Sequence, residues 1–474
     1  MPLSRQIYLL DPKKLSPETI AVTFAKTSRS PESFREIAAE LTDEKSAEFH
    51  EKWVVGYGHS SVAEHAVLHL AVENVSRLAV ECLESNRLAS YTEKSTRYQK
   101  WDPENYFVPP ELSSTLLEDL YVETCRTLFD TYQHTLPAVK SVVEKGNPRR
   151  PEESEPAWDR RIRTQYVDVC RYLLPAASLA NVGVTINARA LEHAICKMLS
   201  HPLREVQQMG AEIKAVAQAE VPTLVKYADA EPCLMAATRS LTELAEKMAS
   251  HTGRKGDWCH LINYDAEGEK RVLAAALFRF GQFSFQEALA YINDLSAAEL
   301  DELAKKLLAD LDEHDIPLRE LEYASFTFEL ILDQGAYFEL KRHRMMTLTA
   351  QPLTTRLGYT VPRLMVLAGA EGIYRQAMNA AQTAYEKLYT FNPEAASYLV
   401  PNGFNRRVLL TINLRSLEHL VSLRSGVSAH FALRRMAQRM AEEVRRVMPV
   451  IGKYLRVAPD ETYQQIEQEH FSEA

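Results

Sequence analysis

In the second half of the chain, Tyr323-Ala324-Ser325-Phe326-Thr327-Phe328-Glu329-Leu330 alternates aromatic or apolar groups with small or polar ones. A period of two puts one set of side chains on one face, so this stretch predicts a half-buried strand. A helical pattern follows and leads into Arg342. Another apolar run ends at Thr411-Ile412 and predicts a further strand. Asn413 then stands where it can cap a helix, since its side-chain oxygen accepts from a free backbone N–H. Later, Leu433, Met436, Met440, Val444 and Val447 share one helical face, with Arg434, Arg435, Arg439 and Arg446 elsewhere. That predicts a core-facing helix with a solvated basic side. Leu241, Leu244 and Met248 have helical spacing inside a stretch, Tyr227 to Asp257, that otherwise has the look of a connector.

The pattern occurs twice. T-I-N-A-R-A-L-E-H at Thr185 to His193 returns as T-I-N-L-R-S-L-E-H at Thr411 to His419. Ser85 to Tyr98 (S-N-R-L-A-S-Y-T-E-K-S-T-R-Y) matches Arg342 to Arg356 (R-H-R-M-M-T-L-T-A-Q-P-L-T-T-R), and Glu64-His65 opens an apolar run as Glu322-Tyr323 does. The three matches keep their order, which is the mark of an internal duplication. We expect a first unit over residues 1–235, a connector over 236–255 and a second unit over 256–474. The second and third matches are about thirty residues further apart in the first copy. Gly146 to Glu153, polar and Pro-rich, offers a surface loop for that added length.

Composition narrows the function. The 474 residues are 46% hydrophobic and 25% charged, an ordinary globular balance for two or three domains. The net charge of −9 argues against a general nucleic-acid binder, which needs clustered excess cation, but leaves room for a local basic pocket. The six cysteines form no C-x-x-C pair and no zinc-like spacing with histidine, so no metal is expected and a reducing, cytoplasmic setting fits. Met1 to Arg5 lacks a signal-peptide pattern, and no run of about 18 apolar residues exists to span a membrane.

Three clusters carry candidate chemistry. Arg342-His343-Arg344 sets two guanidiniums and an imidazole side by side, suited to phosphate or a carbonyl edge, though by composition alone a solvated helix end is the plainer account. Glu93, Ser95 and Arg97 alternate. If extended, they project to one side, where they would hold a sugar hydroxyl and a phosphate; a polar edge strand is the plainer account. Thr354 and Arg356 are the counterparts of Ser95 and Arg97, while Glu93 has none. His59, Ser60, Ser61, Glu64 and His65 lack a convincing third metal ligand. Ser61 and Glu64 have capping-box spacing, which stands beside ligand binding as an explanation.

Taken together, these segments resemble the flavin-dependent thymidylate synthases (the ThyX family), whose signature is R-H-R-x7-S continuing into S-G-R. The first copy keeps Arg87, the spacer, Ser95 and Arg97, but has Ser85-Asn86 for the Arg-His. The second keeps R-H-R, with a longer spacer and Thr354 for the serine. Gly58 to His65 (G-H-S-S-V-A-E-H) is similar to the family's H-x-(S/T)-x-x-E-H segment. Asn187/Arg189 and Asn413/Arg415 are similar to its flavin-contacting N-x-R.

The resemblance implies an α+β fold, a mainly antiparallel sheet with packed helices in each of two tandem units. It implies FAD as cofactor, NADPH and methylenetetrahydrofolate as co-substrates, and deoxyuridylate (dUMP) as the pyrimidine nucleotide methylated. By position it implies Arg424 and Ser95 as candidate catalytic residues. For the nucleotide it implies Glu93, Ser95, Thr96, Arg97, Arg342, Arg407 and Arg424. The flavin set is Ser28, His59, Ser61, Glu64, Asn187 and Arg189 in the first copy, with Arg342, His343, Arg344, Asn413, Arg415 and His419 in the second. The first copy has Lys197 or Met198 in place of Arg424, and Asn181 in place of Arg407. Family members are typically homotetramers with sites shared between chains, so a homodimer of this fused chain would supply four units. The two copies have lost complementary parts, which predicts one nearly complete composite site and one depleted one. A non-catalytic flavin- or nucleotide-binding descendant, or a related flavin enzyme on another pyrimidine nucleotide, would fit the same substitutions.

Overall fold

The computed structural model describes residues 5–248, 257–312 and 314–472. The opening residues 1–4 and the end of the expected connector, 249–255, lie outside them.

The first unit begins with two helices, α1 (Pro17–Thr27) and α2 (Phe34–Glu40). Strand β1 (Val67–Ser76) leads directly into α3 (Arg77–Leu83) because Ser76 caps it, its hydroxyl accepting from Ala79 N at 3.0 Å. Strand β2 (Ala89–Glu93) follows, then α4 (Leu116–Gly146), α5 (Glu155–Cys170), β3 (Leu179–Asn187) and α6 (Ala188–Leu199). Helix α7 (Pro232–Met248) stands between the units.

The second unit repeats the plan. Strand β4 (Cys259–Tyr264) precedes α8 (Gly268–Phe280) and α9 (Phe285–Asp294). Strand β5 (Ser325–Asp333) runs into α10 (Gln334–Leu340), capped by Asp333, whose carboxylate accepts from Ala336 N at 2.8 Å. Then come β6 (Thr347–Ala350), α11 (Glu371–Phe391), α12 (Pro393–Ala396), β7 (Asn405–Asn413), α13 (Leu414–Arg424) and α14 (Phe431–Val447).

The sheets are antiparallel, ordered β1-β3-β2 and β4-β5-β7-β6. Their registers match: Ser76 lies opposite Leu179 as Asp333 lies opposite Asn405. The fold is therefore α+β in tandem units. Asn187 and Asn413 both cap the following helix, accepting from Ala190 N at 2.9 Å and Ser416 N at 2.8 Å. The halves share one core. The backbones of Pro175 and Pro401 bridge, and Ala176 N and Ala177 N donate to Val400 O and Tyr398 O.

Three expectations are corrected. The strand predicted from Tyr323 starts at Ser325, because Tyr323 ends a short 3-10 turn. The added length of the first copy sits mainly in helices: α4 and α5 have 31 and 16 residues where α11 and α12 have 21 and 4. The 146–153 segment is only the turn between them. The arginine side of α14 is not simply solvated. Arg434 is 7% exposed and pairs with Glu461 at 2.6 Å, while Arg435 stacks on Trp258 and Phe471. Helix α7 is present, yet Leu241, Leu244 and Met248 are all exposed.

Candidate functional site

Strand β2 ends at Glu93, and the chain turns at once. The Ser95 hydroxyl accepts from Arg97 N at 3.1 Å, a local turn that ends the extended run. The expectation that Glu93, Ser95 and Arg97 form one extended edge is thus corrected; the turn alone carries Arg97 inward. Thr354 makes the same bond to Arg356 N, at 3.3 Å, so the two loops are structural counterparts. The register sets Ala350, opposite Val408, where the first copy has Glu93 opposite Val182.

The first loop meets the second half within the same chain. The Glu93 carboxylate, 2% exposed, pairs with Arg77 at 2.8 Å and lies 3.6 Å from Arg342. Arg97 donates from Nε to both Asp168 oxygens at 2.9 and 3.0 Å, and from Nη1 and Nη2 to Ser428 O at 3.3 Å. Its Nη1 lies 3.6 Å from Glu339 Oε2. Arg171 donates to the Thr96 hydroxyl at 3.0 Å and to Glu339 Oε1 at 3.2 Å. Glu339 Oε2 is also 3.6 Å from Arg424 Nη1, and it is buried without a hydrogen-bond partner. Five guanidiniums (Arg77, Arg97, Arg171, Arg342, Arg424) thus face three carboxylates (Glu93, Asp168, Glu339), an excess of two positive charges. A phosphate monoester, carrying about −1.5 to −2, would complement that excess.

Helix α13 aligns the rest. From this helix Arg424 donates Nε to His343 Nε2 at 3.1 Å, and the His419 ring lies 5.8 Å from His343. Accepting from a guanidinium requires an unprotonated Nε2. Burial first, then the Arg424 and His419 charges, lowers the His343 pKa to about 3. Between pH 6.5 and about 3 the unfolded chain therefore binds a proton there that the folded chain refuses, and this residue's contribution to stability falls as pH drops through that window. We expect the His343 ring, followed by NMR, to stay neutral until about pH 3. In Arg424→Ala the midpoint should rise toward the ordinary value; an unchanged midpoint would remove Arg424 as a cause.

Not all expected residues join this cluster. Arg407 pairs with Glu329 on the neighbouring strand and does not join this cluster. The adjacent Arg406 turns inward instead, to Glu81 at 2.8 Å. Arg344 donates to Arg87 O at 2.8 Å. Glu64 pairs with Arg189 at 2.5 Å, as Glu322 pairs with Arg415 at 2.9 Å, so each N-x-R segment is tied to its own unit's turn. The capping-box account of Ser61 and Glu64 is corrected: His59 stands at the N-cap of the 60–65 turn, with no side-chain cap bond. The Ser28 hydroxyl bonds to Ala25 O at the end of α1. In the reciprocal position Met198, buried, aligns with Arg424, and Lys197 donates to Ser85 at 2.8 Å. Among the described residues one acid–histidine group, Glu461, Glu469 and His470, has metal-like spacing, but the Arg434 guanidinium bonds both Glu461 and His470.

Arg77, Asp168, Arg171 and Glu339 were not singled out from sequence. Glu339 carried a usable signal, standing one helical turn before Arg342. Asp168 and Arg171 belong to α5 and its end, where the repeat gives no guide.

Two stretches of the chain, residues 10–223 and 260–450, match the profile of the family described as thymidylate synthase complementing protein. The chain belongs to that family. It is a tandem fusion of two such units. A UPF0159 protein of Chlamydia muridarum is 31% identical over 434 residues, covering 88% of this chain and 82% of the relative. A UPF0159 protein of Thermoplasma acidophilum is 28% identical over 455 residues, covering 88% and 90%. A flavin-dependent thymidylate synthase of Clostridium tetani is 30% identical over 223 residues, covering 45% of this chain and 82% of the relative. Thus full-length relatives share the doubled plan, and the single-unit enzyme matches about one half. No helix among the described residues is long and apolar enough to cross a membrane.

Proposed function

We propose that this fused ThyX-family chain binds FAD and a pyrimidine nucleotide at one site shared by its halves, and reductively methylates deoxyuridylate. The observation carrying this reading is the meeting of Glu93, Thr96 and Arg97 from the first half with Arg342, Glu339, His343 and Arg424 from the second. Arg97 and Arg342 supply planar paired donors for phosphate. Arg424, its pKa lowered first by burial, supplies a desolvated donor where negative charge would develop on the ring. Asn413, Arg415, His419 and His343 would hold the flavin, and the unpartnered Glu339 oxygen fits a ring N–H. Reduced flavin would supply the hydride, recharged by NADPH, with the carbon from methylenetetrahydrofolate. A cytoplasmic setting and a dimer supplying four units go with this reading, although the site itself needs only one chain.

A second reading has one specific observation in its favour. Arg97 is already held by Asp168 and Ser428 O, so a nucleotide phosphate must displace existing partners. That favours a non-catalytic, flavin-binding descendant in which Arg97 ties the halves together. Calorimetry with deoxyuridylate separates a site from a sealed network: Arg97→Ala should weaken binding by about 1.5–3 kcal/mol. Equal affinity in both proteins removes Arg97 from the site. NADPH-dependent bleaching of the bound flavin then distinguishes the enzyme from the binder.

A further inference from the structure

The second unit's sheet is closed on one side by β4, which pairs antiparallel with β5, Tyr264 opposite Phe326. Among the described residues the first unit's β1 is an edge, with β3 as its neighbour on one side only. The segment that would fill the vacant place exists. Ile7-Tyr8-Leu9-Leu10-Asp11 corresponds to Leu261-Ile262-Asn263-Tyr264-Asp265. In both, the aspartate Oδ1 accepts from the backbone two residues on, Lys13 N at 3.1 Å and Glu267 N at 3.2 Å. In both, its carbonyl accepts from the third, Lys14 N and Gly268 N at 3.0 Å. Each segment leads to a pair of helices, and the second of each pair carries the same Ser-Phe-x-Glu capping box, at Ser33–Glu36 and Ser284–Glu287.

The first copy's segment does not lie on its own sheet. Tyr8 sits under Arg35 of α2, 4.1 Å from guanidinium to ring centre, and Ile7 and Leu9 are 88% and 96% exposed. Six positions separate Asp11 from the start of α1 at Pro17, against three from Asp265 to Gly268, and Pro12 stiffens the longer connection. An unpaired edge and an unpaired apolar strand from the same duplication are complementary by construction.

We propose that residues 5–10 form a strand-exchange interface with the β1 edge of a second copy of this chain. Each copy's segment lies antiparallel along the other's β1 in the register that β4 holds on β5. Exchange between two identical chains closes on itself, the common route to a two-fold dimer. The long connection lets the segment reach outward, and burial on the partner removes Ile7 and Leu9 from water. The alignment sets Leu9 opposite His69, as Asn263 is opposite Thr327. His69 and Thr327 are matched independently, since each bonds the threonine across its sheet, Thr185 and Thr411, at 2.9 Å.

The test uses the full chain with the exposed Cys233 changed to Ser. Separate Leu9→Cys and His69→Cys proteins are mixed and oxidised with copper phenanthroline. Exchange predicts a disulfide-linked dimer that needs both variants. It also predicts that light scattering finds a dimer that becomes monomeric when residues 1–10 are removed. Failure of the mixture to cross-link, with the double variant closing inside a single chain, would overturn the proposal. So would an intact monomer, or a dimer that survives the truncation. None of these outcomes depends on flavin or nucleotide binding.

Discussion

Replacing Asp168 by alanine is expected to lower the stability of the folded chain by about 3–5 kcal/mol, the usual result of stripping one partner from a buried ion pair. The carboxylate is 7% exposed and serves two guanidiniums, Arg97 through paired bonds and Arg171 at 3.4 Å. Its removal leaves both arginines in the junction between the halves with Glu339 as their shared anion. Burial works against the charged form of Arg97, and Asp168 and then Glu339 outweigh it, so its pKa stands above the ordinary value. Asp168→Asn keeps an acceptor for Arg97 Nε and should cost less. The check is the denaturant midpoint of the three proteins. A loss under about 1 kcal/mol for the alanine variant would mean that water already satisfies these guanidiniums, and that the junction is not the dry network described.

The second large effect is an inequality between the two pseudo-equivalent pockets. The pocket with Glu93, Ser95 and Arg97 also has Arg342, His343 and Arg424. The duplication predicts a counterpart drawing on Thr354 and Arg356 with Ser85, Asn86 and the buried Met198. Arg356 there rests on the Tyr389 ring at 4.9 Å. Each missing charged contact costs about 1.5–3 kcal/mol, and about 1.4 kcal/mol is a factor of ten, so the affinities should differ by about a hundredfold or more. His343→Ala should therefore remove most bound flavin, while Asn86→Ala leaves it. The reverse pattern would exchange the roles of the pockets.

The duplicated parts were legible because the physics that shapes them is local. Asn187 and Asn413 cap helices whatever surrounds them, and the alternation in β5 is its burial pattern. The turn at Ser95 is not legible, because a three-residue alternation does not distinguish a strand from a strand end followed by a hydroxyl-closed turn. Arg406 and Arg407 show the same limit: neighbours on a strand point to opposite faces, and a one-residue choice reverses which one enters the junction. The network's core was illegible for another reason. Asp168 acts only once the fold brings Arg97 to it from 71 positions away, and Arg171 only when the end of α5 meets Glu339 of the far half, 168 positions on. The short segment 7–11 is not legible as a repeat, because five residues with one shared aspartate are below what a sequence repeat can carry. The matched turn bonds are what reveal it.

The central claim, one flavin and nucleotide site per chain built from both halves, is tested most directly by titrating the apoprotein with FAD and reading the saturation point. The account predicts about one flavin per chain, lost in His343→Ala and kept in Asn86→Ala. Two equivalent flavins per chain would contradict it and show two independently competent units; no uptake at all would contradict it as well.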